Sequence, residues 1–290
     1  MVTGLGTPVR KPRATASDKR PVVYLEGLNP GGHAVSRQID AASEKLEDDR
    51  IQEAADRIDA VLAEYPDHVD ALHLQALVAR RQGRPADALE RMRCAVAAGA
   101  SRIPEQLPLA RCLMPGDHAG NLPFLRAYCG LGLELMEHGR VEEAFRVFAT
   151  SLDLCFLDPF EVRRFIPLPA FLLGRNRTVL EVCRRYVTDA SAPLRYGRPL
   201  AMLRLHRSRP TTRAVLARAV EGNPLVARVL LLDRKPDIQP PAGIRDEAGL
   251  GEAMDYLRMY GRLWRETPGA LDMLRRLSPR GAGGPASGGA

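Results

Sequence analysis

Residues 69–100, VDALHLQALVARRQGRPADALERMRCAVAAGA, contain the pattern that decides the fold. Apolar residues recur at helical spacing in two segments, which predicts two amphipathic helices joined at Gly83. Small side chains such as Ala76 let the two helix backbones approach closely, and a bulky residue one turn further on fills the adjoining groove. This stretch therefore predicts a tightly packed helical hairpin.

The segment before this hairpin repeats its pattern one period earlier. The matched pairs are Ala54 with Ala88, Ile58 with Met92, and Val61 with Ala95. Their separation is the period of about 34 residues that is typical of tetratricopeptide (TPR) repeats, and the chain resembles a TPR repeat protein. An alanine-rich helical bundle would carry much of the same pattern and is the alternative.

A third copy follows an insertion at residues 101–122, where Pro104, Pro108 and Pro115 argue against a continuous helix. The residues at its typical repeat positions are Tyr128, Leu131, Gly132, Gly139, Ala144 and Phe148. Because its turn at Gly139 repeats the turn at Gly83, this copy fits the pattern best.

Two weaker copies complete the predicted array. The fourth turns at Gly174, and Pro167 and Pro169 fall inside its first helix, which they should kink or shorten. The positions typical of the fifth are held by Leu200 and Ala201 in its first helix and by Leu216 and Ala219 in its second.

These copies predict an all-α fold, an α-solenoid of about five TPR-like helix-turn-helix repeats with a C-terminal helical cap. We expect the repeat array over residues 34–235. We expect a disordered basic arm over residues 1–33, with docking of residues 22–25 (VVYL) on the first helices as the open alternative. Residues 236–277 should form a proline-rich linker and the cap, and residues 278–290 a disordered tail.

The C-terminal third carries a separate set of motifs. They are Asn223-Pro224 and the apolar run to Leu231, then Pro240-Pro241, Glu252-Ala253, Tyr256, Trp264 and Gly269-Ala270-Leu271. This ending resembles the C-terminal signature of the suppression-of-tumorigenicity-seven family and related bacterial TPR proteins, and the resemblance extends back to about residue 116. It implies a helical-repeat interaction role without an established reaction. Because the sequence lacks the membrane segments of the animal members, their localisation does not transfer.

Composition narrows the class of protein further. Aromatic residues make up only 5% of the chain, which suits helix-on-helix packing better than a β-sandwich. The five cysteines are well separated, which favours reduced thiols in a cytoplasmic protein over a disulfide framework. No apolar run approaches the roughly 18 residues of a membrane span, and the N-terminus lacks the apolar core of a signal peptide. We therefore expect a cytoplasmic protein that does not contact a membrane.

Catalytic and cofactor motifs are missing where they would be expected. Residues 29–33 (NPGGH) are glycine-rich, but no Gly-Lys-Ser/Thr follows them as in a phosphate-binding loop. His68 and His73 lack the helical spacing that would place a metal pair on one face. Cys129 falls within a regular repeat helix, which favours a buried or groove-lining thiol over a nucleophile. We expect no enzyme activity, no cofactor and no metal.

The first helices of successive repeats normally form the concave binding face of such an array. The repeat register places on this face Asp70, His73, Leu77, Arg80, Arg126, Cys129, Leu133, Met136, Arg164, Phe171 and Arg204. These residues are the predicted partner-binding groove.

Charge suggests the kind of partner. The net charge is +7, and residues 160–235 are rich in arginine, which attracts carboxylate and phosphate groups. Our hypothesis is a non-enzymatic scaffold that binds a protein or peptide partner, with an acidic segment in the groove. RNA or other nucleic acid bound through the same arginines is the alternative, although few aromatic residues could stack on bases. The arginine bias of a GC-rich genome would give the same composition with no functional role.

Overall fold

The computed structural model describes residues 20–232 and 249–277, and across these ranges the chain is all-α. The helices of the described residues are α1 (Gly32–Glu47), α2 (Ile51–Glu64), α3 (Val69–Arg81), α4 (Pro85–Ala100), α5 (Leu122–Glu137), α6 (Val141–Leu154), α7 (Pro167–Leu172), α8 (Asn176–Arg185), α9 (Ala192–Arg204), α10 (Arg209–Gly222), α11 (Pro224–Leu230), α12 (Leu250–Glu266) and α13 (Ala270–Leu277). The predicted fold class, an all-α helical-repeat protein, is confirmed.

The chain divides into two compact units, the first ending at Pro169 and the second beginning at Ala170. In the first unit each helix from α1 to α6 packs against the next, and the first helices of successive hairpins also touch, α1 against α3 and α3 against α5. This is the packing of a helical-repeat array. In the second unit α8, α9 and α10 pack in succession, while α12 returns to α9 and α13 to α10.

Among the described residues, the hairpins α1–α2, α3–α4, α5–α6, α7–α8 and α9–α10 share one turn. A residue with positive φ, between 51° and 71°, follows the first helix in each, at Asp49, Gly83, Gly139, Gly174 and His206. The next residue is arginine each time, and its amide N–H donates to the carbonyl oxygen five residues back, with N···O distances of 2.7 to 3.0 Å. This is the Schellman arrangement, which satisfies carbonyl groups that a helix end would otherwise leave unpaired.

Three of the turn arginines also join the turn to the second helix. Arg50 pairs with Glu53, Arg84 with Asp87 and Arg140 with Glu143, three residues further on in each case. The carboxylates lie in the first helical turn, where the helix dipole favours negative charge. Because these pairs are solvent-exposed, each adds only a fraction of a kcal/mol.

Residues 20–31 form an extended segment, here called the strap, that packs on the first unit. Val23, Leu25 and Leu28 are buried in the core. The amide of Val23 donates to the Leu113 carbonyl over 2.8 Å, and Leu25 donates to Oδ1 of Asn121 over 2.8 Å. Near its C-terminal end the strap also contacts the start of α3, where the amide of Val69 donates to the Leu28 carbonyl.

Over residues 20–31 the strap corrects our expectation of a disordered arm in favour of the alternative, docking of residues 22–25, although the insertion and not the first helices alone forms the docking site. Its hydrogen-bond partners, Leu113 and Asn121, lie in the insertion far along the chain, and local composition gives no sign of them. Asn121 is fully buried and also donates from Nδ2 to the Val23 and Pro115 carbonyls. Residues 1–19 lie outside the described residues, as do the predicted linker over 236–248 and the tail over 278–290.

The prolines of the fourth repeat act as predicted. The helix α7 has only six residues, and Pro167 and Pro169 fall in its first turn, where a missing amide N–H leaves no hydrogen bond unmade. A 3-10 turn, Val162–Arg164, precedes it. The fourth hairpin is therefore shorter than the other four.

Four of the C-terminal motif residues, Asn223, Glu252, Tyr256 and Trp264, contribute to packing and hydrogen bonding within the second unit. Trp264 is fully buried and donates from Nε1 to the hydroxyl of Tyr256 over 2.9 Å, and the ring of Tyr256 stacks on Tyr260. The hydroxyl of Tyr196 donates to the Asn223 carbonyl over 2.6 Å. Glu252 accepts from the Asn223 side chain and, over 2.7 Å, from the amide of Ala192 at the start of α9. These residues therefore tie α9, α11 and α12 together.

We predict that two substitutions at the shared turn position differ in their effect on the free energy of unfolding. Gly139→Ala should lower the free energy of unfolding by about 1–2 kcal/mol, because a side chain disfavours left-handed backbone. A Cβ at Gly139 would meet no atom within 4 Å, so the cost is conformational and not steric. Urea denaturation followed by circular dichroism measures it.

Asp49→Gly is the matched control, because Asp49 holds the same position in the first turn at φ 60°. It should leave stability unchanged or raise it by up to about 1 kcal/mol. An Asp49→Gly protein less stable than wild type would contradict this account of the turn.

Candidate partner-binding surfaces

The predicted groove residues on α3 and α5 face one another, and two ion pairs join them. Near the start of both helices, Arg126 Nη1 lies 2.5 Å from Oδ1 of Asp70. The other oxygen of Asp70 accepts from Nδ2 of Asn29 in the strap, whose Oδ1 accepts the Asp70 amide. Asp70 is thus fully engaged within the chain.

The second pair lies near the C-terminal ends of the same two helices. Arg80 binds Glu134 through two hydrogen bonds, of 2.9 Å from Nε and 2.6 Å from Nη2. The Glu134 side chain is only 3% exposed, and the exposed carboxylate of Glu137 lies 3.7 Å from the same guanidinium. The hydrogen bonds and charges of both carboxylates raise the pKa of Arg80. Sequence reasoning missed Glu134, because a glutamate on a helix is usually solvated.

His73 and Cys129 lie between the two ion pairs. Burial lowers the pKa of His73 to about 4, and its Nδ1 atom is buried without a hydrogen-bond partner among the described residues. Burial also raises the pKa of the Cys129 thiol to about 12. Because the uncharged thiol is a poor nucleophile, the setting of Cys129 is that of a core residue.

The remaining predicted groove residues differ in accessibility. Leu77 and Met136 are partly exposed, and Leu133 is 39% exposed. In the first unit Arg164 pairs with Glu161. In the second, Phe171 is buried, with the Arg204 guanidinium 5.8 Å from its ring centroid. Cys129 and Phe171 are therefore core residues, whereas the others keep some exposed surface.

A different groove in the second unit lies between α10 and α13, and sequence reasoning missed it. Its volume is about 780 Å³. Its apolar walls include Leu203, Ala217, Met273 and Leu277, and its charged residues are Arg209, Arg213, Asp272 and Arg276. We call it the α10–α13 groove. The sequence signal was the arginine pair at helical spacing in α10, but nothing local predicted that α13 would pack beside it.

The charges of the α10–α13 groove are unbalanced. Its carboxylate, Asp272, pairs with Arg275 on the same helix over 2.9 Å. Among the described residues, Arg209, Arg213 and Arg276 form no hydrogen bond or ion pair with a carboxylate. The groove thus combines apolar walls with three guanidinium groups that have no carboxylate partner among the described residues.

No group of three or more His, Cys, Asp or Glu within residues 20–232 and 249–277 has the arrangement of a metal site. None of the helices in those ranges is both long and apolar enough to cross a membrane.

Among known proteins, this chain is similar in structure to a solved helical-repeat protein. No family model and no curated protein matches the chain. A similar solved structure is a crystal structure of nearly identical TPR-like repeats from a Podospora anserina protein assigned as a kinesin light chain. The two are 15% identical with a TM-score of 0.49, over 67% of this chain and 97% of that one. The resemblance to the suppression-of-tumorigenicity-seven family stays a prediction.

We predict that the two carboxylates near Arg80 differ sharply in their contribution to stability. Glu134→Gln should lower the free energy of unfolding by about 2 kcal/mol, because it leaves a partly buried guanidinium without its charged acceptor. Glu137→Gln, on the same helix but exposed, should change it by about 0.5 kcal/mol or less. Urea denaturation of both variants tests this, and equal effects would contradict the assignment of Glu134 as the principal partner.

We also predict that acid destabilises the first unit through His73. Since its pKa is about 6.5 in the unfolded chain and about 4 in the fold, the unfolded state binds more protons as the pH falls below 6.5. Lowering the pH to about 5 should therefore remove about 2 kcal/mol of stability through this residue. Buried His68, whose pKa burial also lowers, acts in the same direction.

Urea denaturation at about pH 7.5 and about pH 5 measures this loss. His73→Gln should flatten the pH dependence, whereas His33→Gln, at an exposed site, should leave it as in wild type. If His73→Gln and wild type lose equal stability, His73 is not the group that titrates.

Proposed function

We propose that this chain is a helical-repeat scaffold that binds a protein partner through an acidic segment in the α10–α13 groove. The observation that carries the proposal is the combination of apolar walls with three arginines that have no carboxylate partner among the described residues. A helix that is apolar on one side and acidic at its edges would complement both features.

The geometry of the groove favours a helical segment. Its α10 wall is one helix face, formed by Pro210, Arg213, Ala214 and Ala217 at helical spacing. Two neighbouring helices with apolar side chains between them are the usual receptor for an amphipathic helix. Arg209, Arg213 and Arg276 could each form a forked pair with a carboxylate of that helix.

The face predicted from the sequence remains a second proposed surface. Its apolar strip, Leu77, Leu133 and Met136, could contact a partner. However, Arg80 and Arg126 already bind Glu134 and Asp70, so an acidic segment would have to displace carboxylates of the chain itself. This competition is why we favour the α10–α13 groove.

Nucleic acid is the competing ligand for the same arginines. Bases usually stack on exposed aromatic rings, but Tyr196, Tyr256, Tyr260 and Trp264 of the second unit are buried. We therefore treat RNA binding as an outcome of the test and not as a second proposal.

The test measures binding of a designed peptide by fluorescence anisotropy. The probe is a labelled amphipathic helix of about five turns with leucines on one face and glutamates beside them. We expect Arg209→Glu with Arg213→Glu to weaken its binding at least tenfold, about 1.4 kcal/mol, since two attractive charges become repulsive. The matched control is Arg177→Glu with Arg184→Glu on α8, which makes the same charge change outside the groove and should bind as wild type.

Four results would overturn the groove assignment. The first is equal loss in the α8 control, which would indicate general electrostatics. The second is equal binding of a peptide with lysines in place of the glutamates, and the third is displacement of the probe by an RNA oligonucleotide. The fourth is a loss confined to Arg164→Glu with Arg204→Glu, which would place the partner at the groove residues predicted from the sequence.

A further inference from the structure

A second cavity in the second unit collects arginines at the opposite end of α10. It has a volume of about 470 Å³ and lies where the end of α8, the start of α9 and the end of α10 meet. Arg195 and Arg198 line it from α9, and Arg218 lines it from α10. None of its lining residues belongs to the α10–α13 groove.

The position of Arg195 depends on a close approach to Gly222. A Cβ added to Gly222 would lie 1.5 Å from Nη1 of Arg195, so the guanidinium occupies the space of the missing side chain. Gly222 ends α10, where the helix dipole favours a cation. The dipole accounts for one arginine but not for Arg198 and Arg218 beside it.

The positive charges of this cavity have no partner among the residues that the structure describes. Arg195, Arg198 and Arg218 make no hydrogen bond or ion pair within the described part of the chain, and the first two are partly buried. Of the two lining carboxylates, Asp189 accepts the Ser191 amide over 2.8 Å through Oδ1, and Glu221 is exposed. Like charges held together and partly desolvated are unfavourable unless an anion joins them.

We infer that this cavity is a binding site for a phosphate group. Guanidinium groups match phosphate oxygens through paired N–H donors, and three of them from two helices can surround a tetrahedral dianion. A carboxylate would be satisfied by one arginine fork and would leave the others unpaired. The site is independent of the proposed acidic-segment function, because it uses the other end of α10.

The test is calorimetric titration of the full chain with inorganic phosphate and with O-phosphoserine, at low ionic strength. Wild type should bind at least one of them saturably with a stoichiometry of one, and Arg195→Gln with Arg198→Gln should weaken that binding at least tenfold. Gly222→Ala should weaken it several-fold without removing a charge, because the new methyl group displaces the Arg195 guanidinium. Alanine favours helix more than glycine does, so this variant should fold.

Two controls separate this site from the rest of the arginine-rich surface. Arg177→Gln, at an exposed position of α8, and Arg209→Glu with Arg213→Glu, in the α10–α13 groove, should bind phosphate as wild type does. If the wild-type protein binds phosphate but not the peptide, the proposed function has failed. If it binds the peptide but not phosphate, the phosphate site has failed. Absence of saturable binding, equal loss in every variant, or equal affinity for glutarate would overturn the phosphate site.

Discussion

The helical hairpins depend on a chain reversal within a few residues, which requires left-handed backbone after the first helix. The same hydrogen-bond arrangement recurs from Asp49 to His206, so each second helix starts at a fixed place relative to the first. That fixed start decides which residues of the second helix face inward. The burial of Ala54, Ala88 and Ala144, each at the fifth position beyond a left-handed residue, follows from it.

Where the array ends, a different constraint applies, because the last hairpin has no following repeat to cover it. In the second unit α12 and α13 return to α9 and α10 and fill that role. Tyr256 and Trp264 fill the core with large side chains. Asn223 and Glu252 accept hydrogen bonds from backbone amides at the starts of α11 and α9. Packing and hydrogen bonding thus account for these four of the motif residues that suggested a family resemblance.

Sequence predicts the period and the turns where glycine marks them, at Gly83, Gly139 and Gly174. The sequence signal is weaker at Asp49 and His206, because these residues are not glycine and yet adopt left-handed backbone. For the strap, the apolar residues 22–25 left docking open as an alternative to disorder, but the sequence did not identify the partners Leu113 and Asn121, which are distant along the chain. The repeat register identified Asp70, Arg80 and Arg126, but their pairing with one another or with Glu134 depends on side-chain conformations that a pattern of residue types does not specify.

An arginine-rich composition explains how many arginines the chain has, but not where they lie. Compositional bias should place them on exposed positions, as at Arg177 and Arg184. It does not account for the close approach of Arg195 to Gly222, or for the arginines lining two cavities along α10 that form no ion pair among the described residues. In the first unit Arg80 and Arg126 are neutralised by carboxylates of the same chain. The contrast supports our proposal that the arginines around α10 bind anionic ligands.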